Sequence, residues 1–315
     1  MARLSDVLVV NAGSTSIKLS VVDDREQSST VESIEDAGPV SAVAHRIVHG
    51  GELFFEPTLL DDRIVEQLRG LVELAPLHMR PALDALASAR ESLPLLPHVA
   101  VFDTSFHRTI PEHATTFALP AAWRARGLRR YGFHGLSVAW AVEQVEVPRL
   151  VVCHLGGGCS VTAVRDGHSV DTTMGFTPLD GVPMGTRPGS VDPGAFLYLL
   201  RHGVGIDELE AGVEHESGLQ GLAGSSDVAR LLGATDPVAQ LALEVFTYRI
   251  AQAVAAMVTA LGGIDAIVFT GGIGEHATPV REAIVERLRF LGQVDVHVVP
   301  AREDVVAARA ARAFL

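Results

Sequence analysis

Short apolar runs with the length of β-strands alternate along this chain with longer stretches that carry a helical pattern. The strand-like runs cover residues 7–10, 19–22, 43–48, 99–102, 150–155, 161–164, 266–270 and 294–299. The helical patterns cover residues 64–74, 81–90, 138–144, 192–201, 237–261, 280–291 and 304–314. Strands that alternate with helices, while some strands follow each other directly as hairpins, predict an α/β protein with mixed sheets.

The first strand-like run breaks into a short turn of small polar residues before the second run begins. Gly13 lets the backbone approach a ligand closely, and Lys18 adds positive charge. The hydroxyl groups of Ser14 and Ser16 can donate hydrogen bonds to a phosphate. A phosphate-holding hairpin and an ordinary hairpin with a polar tip both fit this pattern. The spacing of a Walker A loop is absent from it.

The second half of the chain repeats this arrangement. The run 150–155 is followed by Gly156, Gly157 and Gly158, and then by the run 161–164. We expect a duplicated phosphate-holding hairpin, one copy in each half; chance is the alternative, because strand, glycine turn and strand often follow each other. At 315 residues the chain exceeds the size at which a single core stops growing, so two domains are expected.

The composition narrows the classes of partner. Hydrophobic residues make up 48% and charged residues 20% of the chain, as in ordinary globular proteins, and the formal net charge is -13. This acidity argues against nucleic acid or an anionic membrane as a partner.

Residues 1–6 lack the apolar core of a signal peptide, and apolar runs such as 250–261 fall short of a membrane span, so a cytoplasmic location is expected. Cys153 and Cys159 alone predict neither a metal site nor a disulfide framework.

Two charged residues stand out because they lie within or directly after apolar strands. Arg46 lies within the run 43–48, where an arginine must find an anion to offset its desolvation. A ligand anion and a structural salt bridge both meet this need. Asp103 follows the run 99–102, at the carboxyl end of a strand, where catalytic acids are common in α/β proteins. A helix N-cap is the alternative for Asp103.

Further candidates lie in segments punctuated by glycine. His134 stands between two glycines, which lets a ligand approach its imidazole and favours a catalytic role. Arg187 lies in a Gly/Pro-rich loop where no packing role is expected, which indicates anion recognition. The run 266–270 opens into Gly271 and Gly272, as at a nucleotide site, although a simple strand-to-helix turn gives the same pattern. This combination fits phosphoryl transfer, and the absence of a G-x-S-x-G motif argues against a serine hydrolase.

Taken in order, these segments resemble the acetate and short-chain carboxylate kinases, the acetokinase family of actin-like, ribonuclease-H-like ATPases. The matching motifs are HRIVHGG (45–51), LAPLH (74–78), FDTSFH (102–107), RYGFHG (130–135), HLG (154–156), MGFTPL (174–179) and MGTR (184–187). The resemblance implies an α/β, two-domain, actin-like ATPase (ribonuclease H-like) fold, with duplicated mixed β-sheet domains and a cleft between them. It implies an N-terminal domain at 1–103, completed by a C-terminal helix at about 302–315, and a C-terminal domain with the nucleotide-side loops at 104–301.

The resemblance also implies roles for individual residues. The catalytic residues would be Arg46, Asp103, His134 and Arg187. The arginines would bind the carboxylate and the transferring phosphoryl group, the histidine would hydrogen-bond that group, and the aspartate would orient Arg46 or assist catalysis. The small acyl pocket would be lined by Val48, Leu77, Phe133 and Pro178. The nucleotide- and phosphate-binding residues would be Asn11, Ser14, Ser16, Lys18, His154, Gly156, Gly157, Gly158, Asp227, Gly271, Gly272, Ile273, Gly274, Glu275 and His276, and the metal-associated residues Asn11 and Glu303.

The implied reaction is the reversible in-line transfer of the ATP γ-phosphoryl group to acetate or propionate, which gives ADP and an acyl phosphate. The implied cofactor is Mg²⁺ or Mn²⁺, which bridges the phosphates. The resemblance also implies a homodimer, to which the helix at 237–261 could contribute.

The chain departs from the family pattern mainly on the nucleotide side. It is shorter than typical members, with segments absent between Ser20 and Ala44, after His134, and between His276 and Val294. The residues that differ from the usual ones are Gly157 (usually asparagine), Ala229 (arginine), Val138 (histidine) and His276 (asparagine). The alternative function is therefore the same fold with another phosphoryl donor, such as pyrophosphate, polyphosphate or another nucleotide, or a catalytically weak acyl-phosphate or nucleotide sensor.

Overall fold

A computed structural model describes residues 5–13 and 17–315. The predicted phosphate-binding residues Ser14 and Ser16 lie outside these residues. The strands are β1 (Val7–Ala12), β2 (Ile17–Val22), β3 (Ser28–Val31), β4 (Ala42–Ile47), β5 (Thr58–Leu59), β6 (His98–Phe102), β7 (Arg149–Leu155), β8 (Cys159–Arg165), β9 (His168–Thr172), β10 (Ala266–Thr270) and β11 (Asp295–Val298). The α-helices are α1 (Asp62–Arg69), α2 (Pro76–Ser92), α3 (Glu112–Thr115), α4 (Ala121–Arg124), α5 (Gly135–Gln144), α6 (Pro193–Arg201), α7 (Ile206–His215), α8 (Gly218–Ala223), α9 (Val228–Leu232), α10 (Pro237–Leu261), α11 (Gly271–His276), α12 (Thr278–Arg287) and α13 (Glu303–Arg312).

The chain divides into two compact units. The first unit comprises Met1–Arg108, Phe133–Trp140 and Arg302–Leu315, and the second comprises Thr109–Gly132 and Ala141–Ala301. The domain boundaries proposed from the sequence stay a prediction, because compactness alone does not show that a segment folds independently.

The first unit is built on a six-stranded sheet in the order β3-β2-β1-β4-β6-β5. β1, β2 and β3 form an antiparallel meander, and β4 and β6 run parallel to β1. Helices α1 and α2 cover the face that carries Leu8 and Val43, while α13 covers the face that carries Val9 and Ala44. Both faces of the central strands β1, β4 and β6 are therefore buried, as their apolar sequences predict.

Side-chain alternation along these strands decides which polar residues share a face. Asn11 on β1 pairs in register with Arg46 on β4. Asn11 lies two residues after Val9 and Arg46 two residues after Ala44, so both lie on the face that α13 covers. Asp103 follows β6 directly on the same face. Because α13 begins at Glu303, it brings one more carboxylate to this end of the sheet.

The second unit repeats this topology. Its five-stranded sheet has the order β11-β10-β7-β8-β9. β7, β8 and β9 form an antiparallel meander, and β10 and β11 run parallel to β7. In both sheets an antiparallel meander is followed by two strands parallel to its first strand. The predicted duplication of the strand–turn–strand hairpin and the α/β class with mixed sheets are thereby confirmed.

Several elements differ from the sequence-based prediction. Strands β3, β5 and β9 were not predicted, because they are short and mostly polar. Helix α2 begins at Pro76 and continues through Pro81, the residue at which its predicted start lay. A proline inside a helix normally costs a hydrogen bond, and the burial of Met79 and Leu86 against the sheet offsets this cost.

Helix α10 is long and apolar enough, by length and composition alone, to cross a membrane. The helix passes this test because it continues over 25 residues, beyond the shorter apolar run 250–261 on which the expectation rested. A core helix of a soluble protein meets the same criterion. Phe246, Ile250 and Val254 of α10 are fully buried in the second unit, where the helix packs on β8.

Candidate active site

Arg46 lies at the centre of a polar cluster in the first unit. Its Nε donates a hydrogen bond of 2.9 Å to Oδ1 of Asp103, and its Nη2 donates one of 2.5 Å to Oδ2. Its Nη1 donates to Oδ1 of Asn11 at 3.0 Å, and Oε2 of Glu303 lies 3.4 Å from Arg46 Nε. The Arg46 side chain is 12% exposed and the Asp103 side chain 1%. The structure thus brings together residues that the sequence singled out separately, and it uses Asp103 as an arginine partner rather than as a helix cap.

The charges of this cluster do not balance. Burial by itself lowers the pKa of Arg46, but the charges of Asp103 and Glu303 outweigh it and raise that pKa, so the guanidinium stays charged. Burial raises the pKa of the Asp103 carboxyl, and the nearby Glu303 acts in the same direction, while Arg46 opposes both. When both carboxylates are ionised, they surround a single guanidinium with a net negative charge. Such a cluster attracts a cation.

His134 is held next to this cluster by backbone geometry. Its φ of 59° lies in the left-handed region, which is unfavourable for a residue with a Cβ. The His134 N–H donates to the Asp103 carboxylate, and the N–H of Gly135 donates to the Asp103 carbonyl at 2.9 Å. A Cβ at Gly135 would lie only 2.1 Å from that carbonyl oxygen, so this close approach requires glycine. Asp103 therefore positions both Arg46 and His134.

The backbone of Phe133, the residue before His134, is held by a buried histidine. Nε2 of His107 lies 2.8 Å from the Phe133 carbonyl oxygen, which can only accept, so Nε2 carries the proton. Burial lowers the pKa of His107 to about 4, although the bond to Phe133 opposes this shift. The ring of His49 packs edge-on against Phe133 at 5.4 Å between centroids. Of the residues predicted to line the acyl pocket, Phe133 and Val48 are buried and Leu77 is half-buried.

Arg187 lies in the second unit, in a loop that buries it. Its side chain is among the buried charged groups, with a relative exposure of 8%, and its Nη1 donates to the carbonyl oxygen of Pro178 at 3.0 Å. Burial lowers the pKa of Arg187, and the nearby Glu214 opposes this shift. Gly218 packs against the same backbone so closely that a Cβ there would lie 2.2 Å from the Met184 carbonyl oxygen. The expectation that Arg187 has no packing role was wrong, because its backbone and side chain are both engaged.

The glycine segments predicted to hold phosphates converge within the second unit around His154. A Cβ at Gly271 would lie 3.2 Å from Nε2 of His154, and a Cβ at Gly156 would lie 3.7 Å from the same atom. Gly271 adopts a φ of 77° and opens the short helix α11, so its segment is a strand-to-helix turn. Gly157 is exposed at the tip of the hairpin. The clustered glycines leave backbone N–H groups without flanking side chains, as phosphate sites require.

The other predicted nucleotide-binding residues hold varied positions. Asp227 caps helix α9 and accepts from Ala229 N at 2.9 Å. Glu275 accepts from Ala301 N at 3.0 Å, and His276 is exposed. Lys18 is exposed and pairs across the β1–β2 hairpin with Asn11. Each of these roles in nucleotide binding stays a prediction.

Comparison with known proteins agrees with this geometry. The model of the acetokinase family matches residues 28–312. This chain belongs to the acetokinase family. The fold class predicted from the resemblance, that of the actin-like ATPases, is confirmed with it.

Individual acetokinases are similar over most of the chain. The acetate kinase of Protochlamydia amoebophila is 42% identical over 268 residues, which cover 82% of this chain and 68% of that protein. The acetate kinase of Deinococcus deserti is 47% identical over 268 residues, covering 80% of this chain and 67% of that protein. A propionate kinase from Francisella tularensis superposes with a TM-score of 0.92 at 31% identity, over 98% of this chain and 99% of that one. The acetate kinase of Porphyromonas gingivalis superposes with a TM-score of 0.85 at 29% identity, over 98% and 99%.

The donor set of this acetokinase fits a divalent metal only in part. Among residues 5–13 and 17–315, no group of three or more His, Cys, Asp or Glu side chains could hold a metal alone. Glu303 supplies one carboxylate, and its side chain is 16% exposed. The amide oxygen of Asn11 already accepts a hydrogen bond from Arg46. Mg²⁺ in phosphoryl-transfer sites is bound through one or two carboxylates together with substrate phosphates and water. The residues present therefore fit an ion that arrives with a nucleotide.

Two supporting residues of this acetokinase were not predicted from the sequence. His107 holds Phe133, and Arg130 donates from Nη1 to the carbonyl oxygens of Thr172 and Thr173, both at 2.7 Å. Both lie within motifs that carry the family resemblance, FDTSFH and RYGFHG. Their presence in these motifs was the only sign in the sequence that the two residues matter, and it does not show what their side chains contact.

Proposed function

We propose that this protein is a short-chain carboxylate kinase that transfers the γ-phosphoryl group of ATP to acetate or propionate. A carboxylate oxygen attacks the γ-phosphorus, a new P–O bond forms, and the bond from that phosphorus to the bridging β–γ oxygen breaks. The products are an acyl phosphate and ADP, and the reaction is reversible. The carboxylate is already ionised at neutral pH, so the reaction needs charge neutralisation and alignment rather than a strong base.

The observation that carries this proposal is the Arg46 cluster. Arg46 is held at two points by Asp103 and at a third by Asn11, so its guanidinium is oriented before any substrate binds. A preorganised cation costs no reorganisation during the reaction, which is the largest single contribution to catalysis in many enzymes. We assign to Arg46 and Arg187 the neutralisation of the carboxylate and of the transferring phosphoryl group.

His134 is assigned the hydrogen bond to the transferring group. Its left-handed backbone conformation and its backbone hydrogen bond hold the main chain of His134 beside the Asp103 carboxylate. Strain at this position is consistent with a functional constraint rather than with packing. The glycine segments around His154 are assigned to the nucleotide phosphates, which backbone N–H groups can bind.

Mg²⁺ or Mn²⁺ is part of the proposal, with Glu303 as the residue that would hold it. When bound, the metal would supply positive charge to the phosphates. Glu303 is suited to this task because it belongs to a cluster with net negative charge and is partly exposed. A homodimer and a cytoplasmic location stay predictions.

The experiment that tests this function traps acyl phosphate with hydroxylamine. Purified protein is incubated with Mg²⁺, with acetate, propionate or butyrate, and with ATP, GTP, pyrophosphate or polyphosphate. Hydroxamate formed with ATP supports the proposal, and hydroxamate formed only with another donor supports the alternative based on Gly157 and Ala229. Phosphate release without hydroxamate, or nucleotide binding without turnover, contradicts a kinase.

A further inference from the structure

Arg130 contacts three consecutive backbone carbonyl groups at the start of the loop that follows β9 in the second unit. Its Nη1 donates to the carbonyl oxygens of Thr172 and Thr173, both at 2.7 Å, and the carbonyl oxygen of Met174 lies 3.2 Å from the same nitrogen. The next two backbone N–H groups of its own segment, those of Tyr131 and Gly132, donate to the Gly175 carbonyl. The chain thus curls around the guanidinium as it leaves β9. We call residues 173–190 the Arg187 loop.

The later part of the Arg187 loop, residues 180–190, also lies near the Arg130 guanidinium. Oδ2 of Asp180 lies 3.9 Å from Nη1 of Arg130, and Oδ1 of Asp180 accepts from the Ser190 hydroxyl at 2.6 Å. Ser190 N also donates to the Gly181 carbonyl at 2.8 Å. Arg130 therefore lies next to both the earlier and the later part of the loop.

Packing fixes this loop in part, since Met174, Val182 and Met184 are buried. Along one side it borders a cavity of about 510 Å³, whose lining includes Phe176, Leu179 and Pro188 of the loop itself. Side chains beside a cavity lack close neighbours on that side and resist displacement weakly. On the side that borders the cavity, hydrogen bonds therefore contribute more to the position of the loop than close packing does.

The side chain of Arg187 depends on the loop in turn. Its Nη1 donates to the carbonyl oxygen of Pro178, four residues after the last carbonyl that Arg130 holds. The Arg187 carbonyl accepts from Met184 N at 3.0 Å. A shift of the Pro178 backbone would therefore move an acceptor of the Arg187 guanidinium.

We propose that Arg130 is a positioning residue for Arg187, acting through the carbonyls of residues 172–174 and the Pro178 backbone. This inference rests on the proposed function, because it assumes that Arg187 binds the carboxylate or phosphoryl group. The guanidinium places Nη1 at the end of a rigid planar group, whereas a lysine ammonium is a compact point charge on a flexible stem and does not reproduce that position. Removal of the guanidinium also leaves buried carbonyls without a donor.

The test compares Arg130→Met, Arg130→Lys and the control Arg126→Met, which removes an exposed positive charge from the same segment. For each protein, kcat, the KM values for acetate and ATP, Tm and amide hydrogen exchange of residues 173–190 are measured. For Arg130→Met we expect the acetate KM to rise about tenfold and kcat/KM to fall about 100-fold, since small misplacements of binding groups have effects of this size. Exchange should accelerate in the Arg187 loop, Arg130→Lys should be intermediate, and Arg126→Met should match the wild type.

Different results would contradict the role of Arg130 and the proposed function. Wild-type acetate KM and wild-type loop exchange in both Arg130 variants would overturn the inference, as would faster exchange spread evenly over the second unit. If Arg130→Met does not fold, Arg130→Lys decides by the same criteria. Fast exchange of residues 173–190 in the wild-type protein would also overturn it. If the wild type forms no acyl phosphate, the proposed function fails, while the exchange data still decide whether Arg130 holds the loop.

Discussion

Arg46 and Asp103 form a two-point ion pair in which Nε and Nη2 of the guanidinium each donate to a different carboxylate oxygen. The same carboxylate accepts the backbone N–H of His134. One side chain therefore sets the positions of two residues to which we assign catalysis. This arrangement predicts that substitution of Asp103 affects both of these residues.

Asp103→Asn should impair both stability and activity. The amide keeps one acceptor but leaves one donor of Arg46 without its partner, and an unsatisfied buried donor costs about 1–3 kcal/mol in the free energy of unfolding. We expect kcat/KM to fall about 100-fold because Arg46 loses its orientation. Urea denaturation and the hydroxamate assay measure the two effects. Asp84→Asn, an exposed change on α2, is the control, and equal behaviour of the two variants would contradict the proposed role.

Glu303→Gln should weaken the apparent affinity for Mg²⁺ without unfolding the protein. The substitution keeps the shape of the side chain and removes one negative charge from the cluster. We expect the Mg²⁺ concentration at half-maximal rate to rise about tenfold, as for other changes around metal sites. The adjacent Asp304→Asn removes the same charge from a residue that pairs with Arg302 at 3.3 Å, and serves as the control. Identical Mg²⁺ titrations for both variants would refute the assignment of Glu303.

Gly157→Asn should improve the use of ATP. A Cβ at Gly157 meets nothing within 4 Å, so the substitution fits without moving neighbours. An asparagine there can donate to a phosphate oxygen, and we expect the KM for ATP to fall about three- to tenfold, the value of one ordinary hydrogen bond. Gly157→Ala adds the Cβ without the amide and should leave KM unchanged. An unchanged KM in Gly157→Asn would show that the glycine does not limit nucleotide binding.

Stability should decrease on mild acidification because of buried histidines. Nε2 of His45 lies 2.9 Å from Nδ1 of His98, and burial lowers the pKa of His45 to about 3 and also lowers that of His98. Burial likewise lowers the pKa of His107 to about 4. The unfolded chain binds protons below its histidine pKa of about 6.5, whereas the folded chain does not. The stabilising effect is thus complete above pH 6.5 and is lost progressively as the pH falls towards the folded values.

Each such histidine contributes up to about 1.4 kcal/mol per pH unit in this window. Urea denaturation at pH 7.5, 6.0 and 5.0 measures the slope. His45→Gln keeps an N–H for His98 and cannot titrate, so its slope should be smaller than that of the wild type. His297→Gln on the exposed strand β11 is the control and should keep the wild-type slope. A slope unchanged by His45→Gln would contradict the assignment.

The sequence predicted most of the buried framework, because long β-branched runs have few alternatives to buried strands. It missed β9, whose residues alternate without a strong apolar run. Arg46 and Asp103 were found because charges within or next to apolar strands require partners. His107 and Arg130 were not found, because their acceptors are backbone carbonyls 26 and 42 residues away, which leave no side-chain pattern. Contacts of this kind depend on the tertiary fold alone.

Helix α13 both contributes Glu303 and covers one face of the first sheet, where Val9, Ala44 and Val101 are buried. During translation the strands of that sheet leave the ribosome long before this helix is made. The nascent first unit therefore keeps an apolar sheet face uncovered until residues 303–312 have left the ribosome, which is a risk for aggregation. The same delay means that no nascent chain that lacks these residues can carry the Arg46–Glu303 pair. Nascent chains without this helix should accordingly depend on chaperones and stay inactive.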